Sequence, residues 1–353
     1  MQTMRERMMS VLRGDNNDRV PFAQYSNITA TNSEIWESIG RSNMGIIVWS
    51  RVHEIVTPHC SVQKYPVEKD GLRGEQTVLC TPEGHLTQVK MFDPVLHSAA
   101  TTEHFVKSLD DYEKACSYLN DCVVQDRFDI FQTDDNIVGV DGIAFATLPR
   151  TPFQQLWVEW VSFENLILHQ YDSPEKIELC LDEMMRIARD VFKVVSHAPI
   201  NTFVNVPDNI TAPILGKELF TKHCIPFYGM LNEYLDGRLP IFVHMDGDLK
   251  AFRDIIGNSP VKGIDSFSPQ PDNDTSIAEA RAAWPSMRLW TNFPSSVHLR
   301  SEKEIYDEAI RILTEDNNSG MLQLQISENV PPGIWRKSYP QIVKAINDFY
   351  GST

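Results

Sequence analysis

Residues 240–266, PIFVHMDGDLKAFRDIIGNSPVKGIDS, contain two short runs of β-branched and aromatic residues on either side of a helical pattern. The runs at 240–244 and 261–266 predict strands, and residues 249–256 between them predict a helix. A strand, a helix and a second strand in this order form the unit from which parallel sheets are built. This segment therefore predicts an α/β fold with parallel strands.

The same alternation continues along the chain in both directions. The predicted strands share a short apolar run between turn signals, and they lie at 20–25, 45–50, 137–145, 202–206, 240–244, 261–266, 287–292 and 321–326. The clearest helix is at 174–195, where apolar residues recur on one face. Eight strands alternating with helices predict a (β/α)8 barrel of the TIM type in preference to a doubly wound sheet.

One segment interrupts this alternation. Residues 77–92 predict two strands around a Pro-Glu-Gly turn, and residues 109–119 predict a helix. The whole segment, about 66–130, is too long for an ordinary loop and predicts an insertion after the second strand. Such an insertion either shapes the active site as a lid or has a purely structural role. We expect residues 1–353 to form a single domain that carries this insertion.

Composition narrows the classes of function. With 48 acidic and 32 basic side chains the formal net charge is −16, so the surface would repel the phosphates of nucleic acids. No stretch approaches the roughly 20 consecutive apolar residues that cross a membrane. Residues 1–12 lack the apolar core of a secretion signal and predict a surface helix. The six cysteines form no C-x-x-C pair, so we expect reduced thiols and a cytoplasmic protein without nucleic-acid or membrane partners.

The best candidates for a functional site follow the fifth and eighth predicted strands, because the active site of such a barrel lies at the carboxyl ends of its strands. His244 and Asp246 are two residues apart, so both side chains can point to one place. Glu328 could reach them across the narrow barrel mouth. One imidazole and two carboxylates suit a zinc ion with an open position for substrate. The alternative for His244 and Asp246 is a buried histidine followed by a helix cap.

Further candidates share a position after a predicted strand, and they are Asp208, Asn209, Asp265, Asn292, Asn329 and Trp157. The asparagines could donate amide hydrogen bonds to a substrate. Asp208 could orient a ligand or relay a proton, although it also suits a turn or a helix cap. Asp265 could line the site or cap a loop. Trp157 could form the floor of a pocket for a flat substrate, or pack within a helix.

Short segments along the chain carry a resemblance to a known family, and they are Arg5 and Arg7 with residues 14–21 (GDNNDRVP), 81–84 (TPEG), 110–113 (DDYE), 174–175 (PE), 226–228 (PFY) and 243–247 (VHMDG). In this order they resemble the uroporphyrinogen decarboxylase superfamily, which includes corrinoid-dependent methyltransferases. The segments extend over nearly the whole chain. The resemblance therefore implies a distorted (β/α)8 barrel.

Single residues separate this chain from the decarboxylases. Residues 23–30, AQYSNITA, contain no arginine to bind the carboxylates of a tetrapyrrole, and the second strand lacks the expected aspartate at its end. The methyltransferases hold zinc with an H-x-C-G motif after strand five and a cysteine in a C-G-x-P-P-like segment after strand eight. Two segments of this chain resemble this frame with carboxylates in place of both thiolates, and they are His244-Met-Asp-Gly247 and Glu328-Asn-Val-Pro-Pro332. Carboxylate ligands suit a wider range of metal ions than thiolates do.

The resemblance implies a cytoplasmic methyltransferase that moves a methyl group between a small-molecule substrate and a corrinoid carried by a separate small protein. Zinc held by His244, Asp246 and Glu328 would act as a Lewis acid on the substrate. Two alternatives remain. One is a metal-free decarboxylase of a small acid, in which Asp208 or Asp246 is a polarised acid. The other is a non-catalytic barrel that binds a corrinoid or a small molecule.

Overall fold

The computed structural model describes residues 2–95, 98–328 and 330–351. In chain order, the strands in these ranges are β1 (Phe22–Tyr25), β2 (Gly45–Ser50), β3 (His53–Val56), β4 (Ser61–Lys69), β5 (Leu72–Thr81), β6 (Gly84–Phe92), β7 (Ala99–Glu103), β8 (Val123–Asp126), β9 (Gly142–Thr147), β10 (Val204–Val206), β11 (Ile241–His244), β12 (Gly263–Phe267), β13 (Arg288–Asn292) and β14 (Leu322–Ile326). The longest of them lie outside the barrel.

The helices in the same ranges are α1 (Met4–Arg13), α2 (Asn32–Ile39), α3 (Asp111–Asn120), α4 (Phe128–Val138), α5 (Pro152–Gln155), α6 (Phe163–Asp172), α7 (Pro174–His197), α8 (Ala212–Leu219), α9 (Ile225–Leu235), α10 (Arg253–Gly257), α11 (Ile277–Ala283), α12 (Glu302–Asp316) and α13 (Trp335–Gly351). Two π-helical turns, Leu156–Trp160 and Phe220–Cys224, follow α5 and α8. Among the described residues, no helix combines the length and the apolar character that crossing a membrane requires.

Eight strands close into a barrel in the order β1, β14, β13, β12, β11, β10, β9, β2, and every neighbouring pair is parallel. Helices lie between successive barrel strands along the chain. The prediction of a (β/α)8 barrel of the TIM type is therefore confirmed. Because all eight strands run in one direction, their carboxyl ends share one face, and polar residues at those ends can meet there.

The third barrel strand starts later than the predicted strand at 137–145. Ile137 and Val138 belong to α4, and β9 begins only at Gly142. A Cβ atom at Gly142 would lie 1.9 Å from the backbone oxygen of Ile46, so a residue without a side chain is required where β9 approaches β2. Ile137 and Val138 are apolar, as residues of a buried strand would be, so the sequence pattern predicts the start of this strand too early.

Helix α1 is not the surface helix that its charged residues predict. Met8 and Val11 are fully buried and belong to the core cluster, together with Phe242 and Trp290 from the barrel strands. Arg7 is also buried, and its Nε donates to Asp18 Oδ1 at 2.6 Å. Pairing with this carboxylate neutralises the guanidinium, which allows a charged residue on the packed face of the helix.

Aromatic rings fill the interior of the barrel. Phe203 lies 4.2 Å from Phe242 and 4.8 Å from Trp290 between ring centroids. Phe242 and His244 are two residues apart on β11, so both side chains face the interior and His244 lies nearer the carboxyl end. The rings therefore form a packed layer, and polar residues occupy the next positions towards the carboxyl ends of the strands.

The chain divides into two compact units. The first comprises Met1–Arg51, Phe128–Leu148 and Pro199–Thr353, and the second comprises Val52–Arg127 and Pro149–Ala198. Within the second unit, β4–β7 form an antiparallel sheet, and β5 and β6 are the two strands predicted around the Pro-Glu-Gly turn. This unit starts before the predicted insertion at 66–130 and also contains a later segment of the chain. The later segment includes α7.

Candidate functional site

The centre of the candidate site is a pair of residues on neighbouring barrel strands. His244 on β11 is paired in register with Asp265 on β12, and parallel pairing brings their side chains to the same side of the barrel wall. His244 Nδ1 lies 3.2 Å from Asp265 Oδ2. His244 Nε2 lies 3.6 Å from Asp246 Oδ2, which is within ion-pair distance but too long for a good hydrogen bond. The imidazole of His244 thus lies between two carboxylates.

Asp265 collects hydrogen bonds from three further barrel strands. The hydroxyl of Tyr25 on β1 donates to Oδ2 at 2.6 Å, and Asn205 Nδ2 on β10 donates to the same oxygen at 3.0 Å. Gln325 Nε2 on β14 donates to Oδ1 at 3.0 Å. Asp265, Asn205 and Gln325 are completely buried. A buried carboxylate is stabilised by such donors, and here they also fix its position opposite His244.

The protonation of the cluster follows from this arrangement. Burial alone would lower the pKa of His244, but the carboxylates of Asp246 and Asp265 outweigh it and raise the pKa to about 10. Burial and the negative charge of Asp265 raise the pKa of Tyr25 well above its usual value. At neutral pH the site therefore holds an imidazolium ion and a neutral phenol that donates a hydrogen bond.

Asp265 was only a weak candidate in the sequence, and Tyr25, Asn205 and Gln325 were missed. The last two lie inside short strands, VNV and LQLQI, in which every residue is buried. A polar side chain at an inward-facing position of a barrel strand is a usable signal, because burying it requires a partner. The sequence alone does not show which strands are neighbours, so the partners could not be assigned.

Glu328 lies in a second polar group that does not include His244. Its Oε1 accepts hydrogen bonds from Ser268 Oγ and from Asn292 Nδ2, both at 3.2 Å. Ser295 Oγ also donates to this carboxylate. Asn292, which was predicted to donate its amide to a substrate, thus lies beside Glu328. Its amide nitrogen donates to that carboxylate. Asn329, the other predicted residue of this segment, lies outside the described residues.

A row of hydroxyl groups lies between the two polar groups. Tyr25 Oη lies 3.0 Å from Ser266 Oγ, and Ser266 Oγ donates to Ser327 Oγ at 2.6 Å. Ser327 Oγ then donates to Asn292 Oδ1 at 2.6 Å. Ser266 has a φ angle of 62°, in the left-handed region that a serine rarely adopts, at an irregularity in the pairing of β12 with β13. This local strain turns its hydroxyl towards the site.

The predicted zinc ligands are not brought together as a set of three. His244 and Asp246 approach each other, but Glu328 is held by Ser268, Asn292 and Ser295. In the described ranges, no group of three or more histidine, cysteine, aspartate or glutamate side chains is arranged to hold a metal ion. The donors as placed in the described residues do not fit a three-ligand zinc site. Zinc at these residues stays a prediction.

Asp208 and Asn209 both lie in the first unit, after β10, but they have different environments. Asp208 is completely buried, and the hydroxyl of the buried Tyr228 donates to its Oδ2 at 2.6 Å. Burial and the charge of Asp208 raise the pKa of Tyr228 well above its usual value. Asn209 Nδ2 donates to Asp246 Oδ2 at 3.2 Å. Asn209 therefore positions a carboxylate of the His244 cluster, whereas Asp208 is part of a buried pair.

Two tryptophans have different surroundings. Trp49, at the carboxyl end of β2, is 40% exposed, and its ring centroid lies 5.2 Å from that of Tyr25 and 6.1 Å from that of His244. It provides an accessible aromatic surface beside the cluster. Trp157 belongs to the second unit, where its Nε1 donates to Gln154 Oε1 at 2.6 Å. Its ring packs against another ring of the same unit.

Comparison with known proteins gives a structural likeness. A methyltransferase from Methanosarcina mazei superposes with a TM-score of 0.59 at 11% sequence identity, over 99% of this chain and 100% of that chain. A B12-independent methionine synthase from Shewanella sp. W3-18-1, in complex with selenomethionine, gives a TM-score of 0.43 at 11% identity over 74% of each chain. No protein-family profile matches the sequence, and no curated protein matches it significantly. The first likeness shows that the fold is shared over the full length; the second is too weak to support an argument.

Proposed function

We propose that this chain is a methyl-transferring enzyme of the uroporphyrinogen decarboxylase superfamily, with its reaction centre at His244 and Asp265. The observation that carries the proposal is the buried, hydrogen-bonded cluster around these two residues. It lies at the carboxyl ends of the barrel strands, where enzymes of this fold bind their substrates. The full-length likeness to a methyltransferase barrel and the sequence frame around His244 support the choice of reaction.

The geometry suits His244 to act as a general acid. Its Nδ1 faces Asp265, so the ring is held in one orientation. Its Nε2 lies 3.6 Å from Asp246 Oδ2, which is too far for a good hydrogen bond, so this N–H can donate to a substrate atom. Asp246 is held by Asn209 and stabilises the positive charge of the ring. Asp265 and Asp246 act as positioning residues, and His244 is the catalytic residue in this proposal.

The proposed step breaks the bond between the methyl carbon and a leaving atom such as an ether oxygen. The electron pair of that bond stays on the leaving oxygen, and His244 gives its Nε2 proton to this oxygen, so that a neutral alcohol leaves. The methyl group passes to a nucleophile on the opposite side of the carbon. His244 then regains a proton from solvent, since the neighbouring carboxylates favour its charged form.

The proposed acceptor is a corrinoid carried by a separate small protein, as the sequence resemblance implies. When bound, a corrinoid supplies a cobalt centre that accepts methyl groups. The residues of this chain would bind the small methyl donor, orient it with His244 and Asp246, and protonate its leaving atom. Trp49 offers the donor an apolar, accessible surface beside His244.

Decarboxylation of a small acid is the second candidate, and the imidazolium of His244 favours it. A cationic ring in a buried site can bind a substrate carboxylate. It can also protonate the carbanion that remains after carbon dioxide leaves. In that case the acid would be His244, in place of Asp208 or Asp246. This reaction needs no methyl acceptor, and the two candidates therefore differ in their products.

One experiment separates the candidates. The protein is incubated without oxygen with cob(I)alamin and a panel of methyl ethers, methylamines and methyl thioethers, and methylcobalamin is followed by its absorbance. We expect methylcobalamin to form from at least one donor class. Carbon dioxide release from a small acid, with no methylcobalamin from any donor, would favour the decarboxylase. Tight binding of a corrinoid with neither product would indicate a binding protein and overturn the proposal.

A further inference from the structure

Two cysteines of the second unit lie in direct contact although they are 64 residues apart in the chain. Cys116 is on α3 and Cys180 is on α7, and their Sγ atoms are 3.1 Å apart. The sulfur atoms of a disulfide are about 2.05 Å apart, so a bond requires them to approach by roughly a further 1 Å. All six cysteines of the chain are free thiols in the structure. This pair is therefore positioned for a bridge that has not formed.

Access to the two sulfur atoms differs. Cys180 is completely buried, whereas Cys116 is partly exposed. Cys116 lines an open cavity of about 560 Å³, and its neighbours in that wall are Tyr112, Glu113, Ser117, Lys176 and Leu179. A small solute can enter a cavity of this size, and it would meet the thiol of Cys116 first.

The hydrogen bond between the two sulfur atoms shifts the pKa values of the two thiols in opposite directions. It lowers the pKa of Cys116, against the effects of burial and of Glu183. The same hydrogen bond, together with burial, raises the pKa of Cys180 well above its usual value. The accessible sulfur therefore has the greater thiolate character, and the buried sulfur keeps the proton. Thiolates are the form of cysteine that reacts with oxidants.

We propose that Cys116 and Cys180 form a site of reversible oxidation, at which a peroxide converts the two thiols into a disulfide between α3 and α7. The Cys116 thiolate attacks one oxygen of hydrogen peroxide, the O–O bond breaks, and Cys116 becomes a sulfenic acid as hydroxide leaves. The Cys180 sulfur then attacks the Cys116 sulfur, the S–O bond breaks, and the second oxygen leaves as water. In total, two thiols and one peroxide give one disulfide and two waters.

Cys122 provides a matched control in the same unit. It follows α3 by two residues, and its Sγ donates to the backbone oxygen of Tyr118 at 3.4 Å. Burial raises the pKa of Cys122 to about 12, so its thiolate is scarce at neutral pH. A general susceptibility of the cysteines to oxidation would affect Cys122 and Cys116 alike. Selective bridging would affect Cys116 and leave Cys122 as a thiol.

The test treats the folded, full-length protein with hydrogen peroxide, blocks the remaining thiols in denaturant, and maps tryptic peptides by mass. We expect a loss of two thiols and a cross-linked pair of peptides, residues 115–127 with residues 177–186, which dithiothreitol separates again. The first peptide also contains Cys122. The variants Cys116→Ser and Cys122→Ser therefore identify the sulfur, and only Cys116→Ser should abolish the cross-link.

Three results would overturn the proposal. All six cysteines could still react with the blocking reagent after peroxide treatment, or Cys116 could be oxidised without a bridge. The cross-link could also persist in Cys116→Ser and disappear in Cys122→Ser. Because the wild-type protein gives the primary result, the test does not depend on a variant of the fully buried Cys180, which could fail to fold.

Discussion

His244 and Asp265 face each other across the pairing of β11 and β12, with Nδ1 of the imidazole 3.2 Å from Oδ2 of the carboxylate. Three donors from other strands hold Asp265, so the position of the imidazole depends on residues from most of the barrel. A site of this kind is built by the closure of the barrel and not by a local motif.

The first prediction concerns the charge of His244. Replacing Asp265 with asparagine removes one of the two carboxylates that hold the pKa of His244 at about 10. We expect the pKa to fall by roughly one to three units, because an adjacent opposite charge shifts a pKa by about that amount. NMR titration of the imidazole nitrogens in the wild type and in Asp265→Asn measures the change. An unchanged midpoint would contradict the assigned ion pair.

The second prediction concerns Asp208, which the sequence placed among the catalytic candidates. Tyr228→Phe removes the hydroxyl that donates to its buried carboxylate. We expect the free energy of unfolding to fall by about 1–3 kcal/mol, the usual result of removing a hydrogen-bond partner from a buried polar group. Urea denaturation monitors the effect. Loss of methyl transfer with unchanged stability would instead indicate that Asp208 acts in the reaction.

The third prediction concerns the metal. Glu328 accepts hydrogen bonds from serine and asparagine side chains, and the described residues hold no group of three metal-ligating side chains, so we expect Glu328→Gln to leave the metal content of the purified protein unchanged. Elemental analysis of the wild type, Glu328→Gln and His244→Ala measures the zinc bound per chain. Stoichiometric zinc that is lost in both variants would show that the three predicted ligands do meet around a metal ion.

The fourth prediction concerns His298, which is buried and whose Nδ1 lies 2.8 Å from Ser338 Oγ. Burial lowers the pKa of His298 from its ordinary value of 6.5 to about 4. Between these values the unfolded chain binds a proton that the folded chain does not, so stability is lost as pH falls from about 6.5 towards 4. The loss is about 1.4 kcal/mol for each pH unit in that window.

Urea denaturation at pH 7 and pH 5 measures this dependence. The variant His298→Asn lacks the titrating group and should lose less stability than the wild type over the same interval. A variant of an exposed histidine, His85→Asn, serves as the control and should keep the wild-type dependence. Equal dependence in His298→Asn and the wild type would show that His298 is not the group responsible.

The sequence predicted the barrel because runs such as 240–244 and 261–266 have the composition of buried parallel strands. It placed the third strand too early, since Ile137 and Val138 are as apolar at the end of a helix as they would be in a strand. It also placed α1 on the surface, because the partner that neutralises Arg7 is 11 residues away and comes close only in the folded chain.

The candidate site combines residues that are near in sequence with residues that are far apart in it. His244 and Asp246 are near in sequence, and their approach followed from the period of a strand. Asp265 and Gln325 come from other strands, and only the order of strands around the barrel brings them to one place. Glu328 was expected beside His244 from its position at the barrel mouth. The side-chain donors around it decide its actual direction, and no sequence pattern predicts them.

The rate of methyl transfer in His244→Asn tests the central claim most directly. The measurement uses the donor that gives methylcobalamin with the wild type, with His85→Asn as the control. General-acid catalysis contributes about 100- to 10,000-fold, so we expect a loss of that size in His244→Asn, with the fold retained and the control unaffected. A rate in His244→Asn close to that of the wild type would contradict the assignment of the reaction centre.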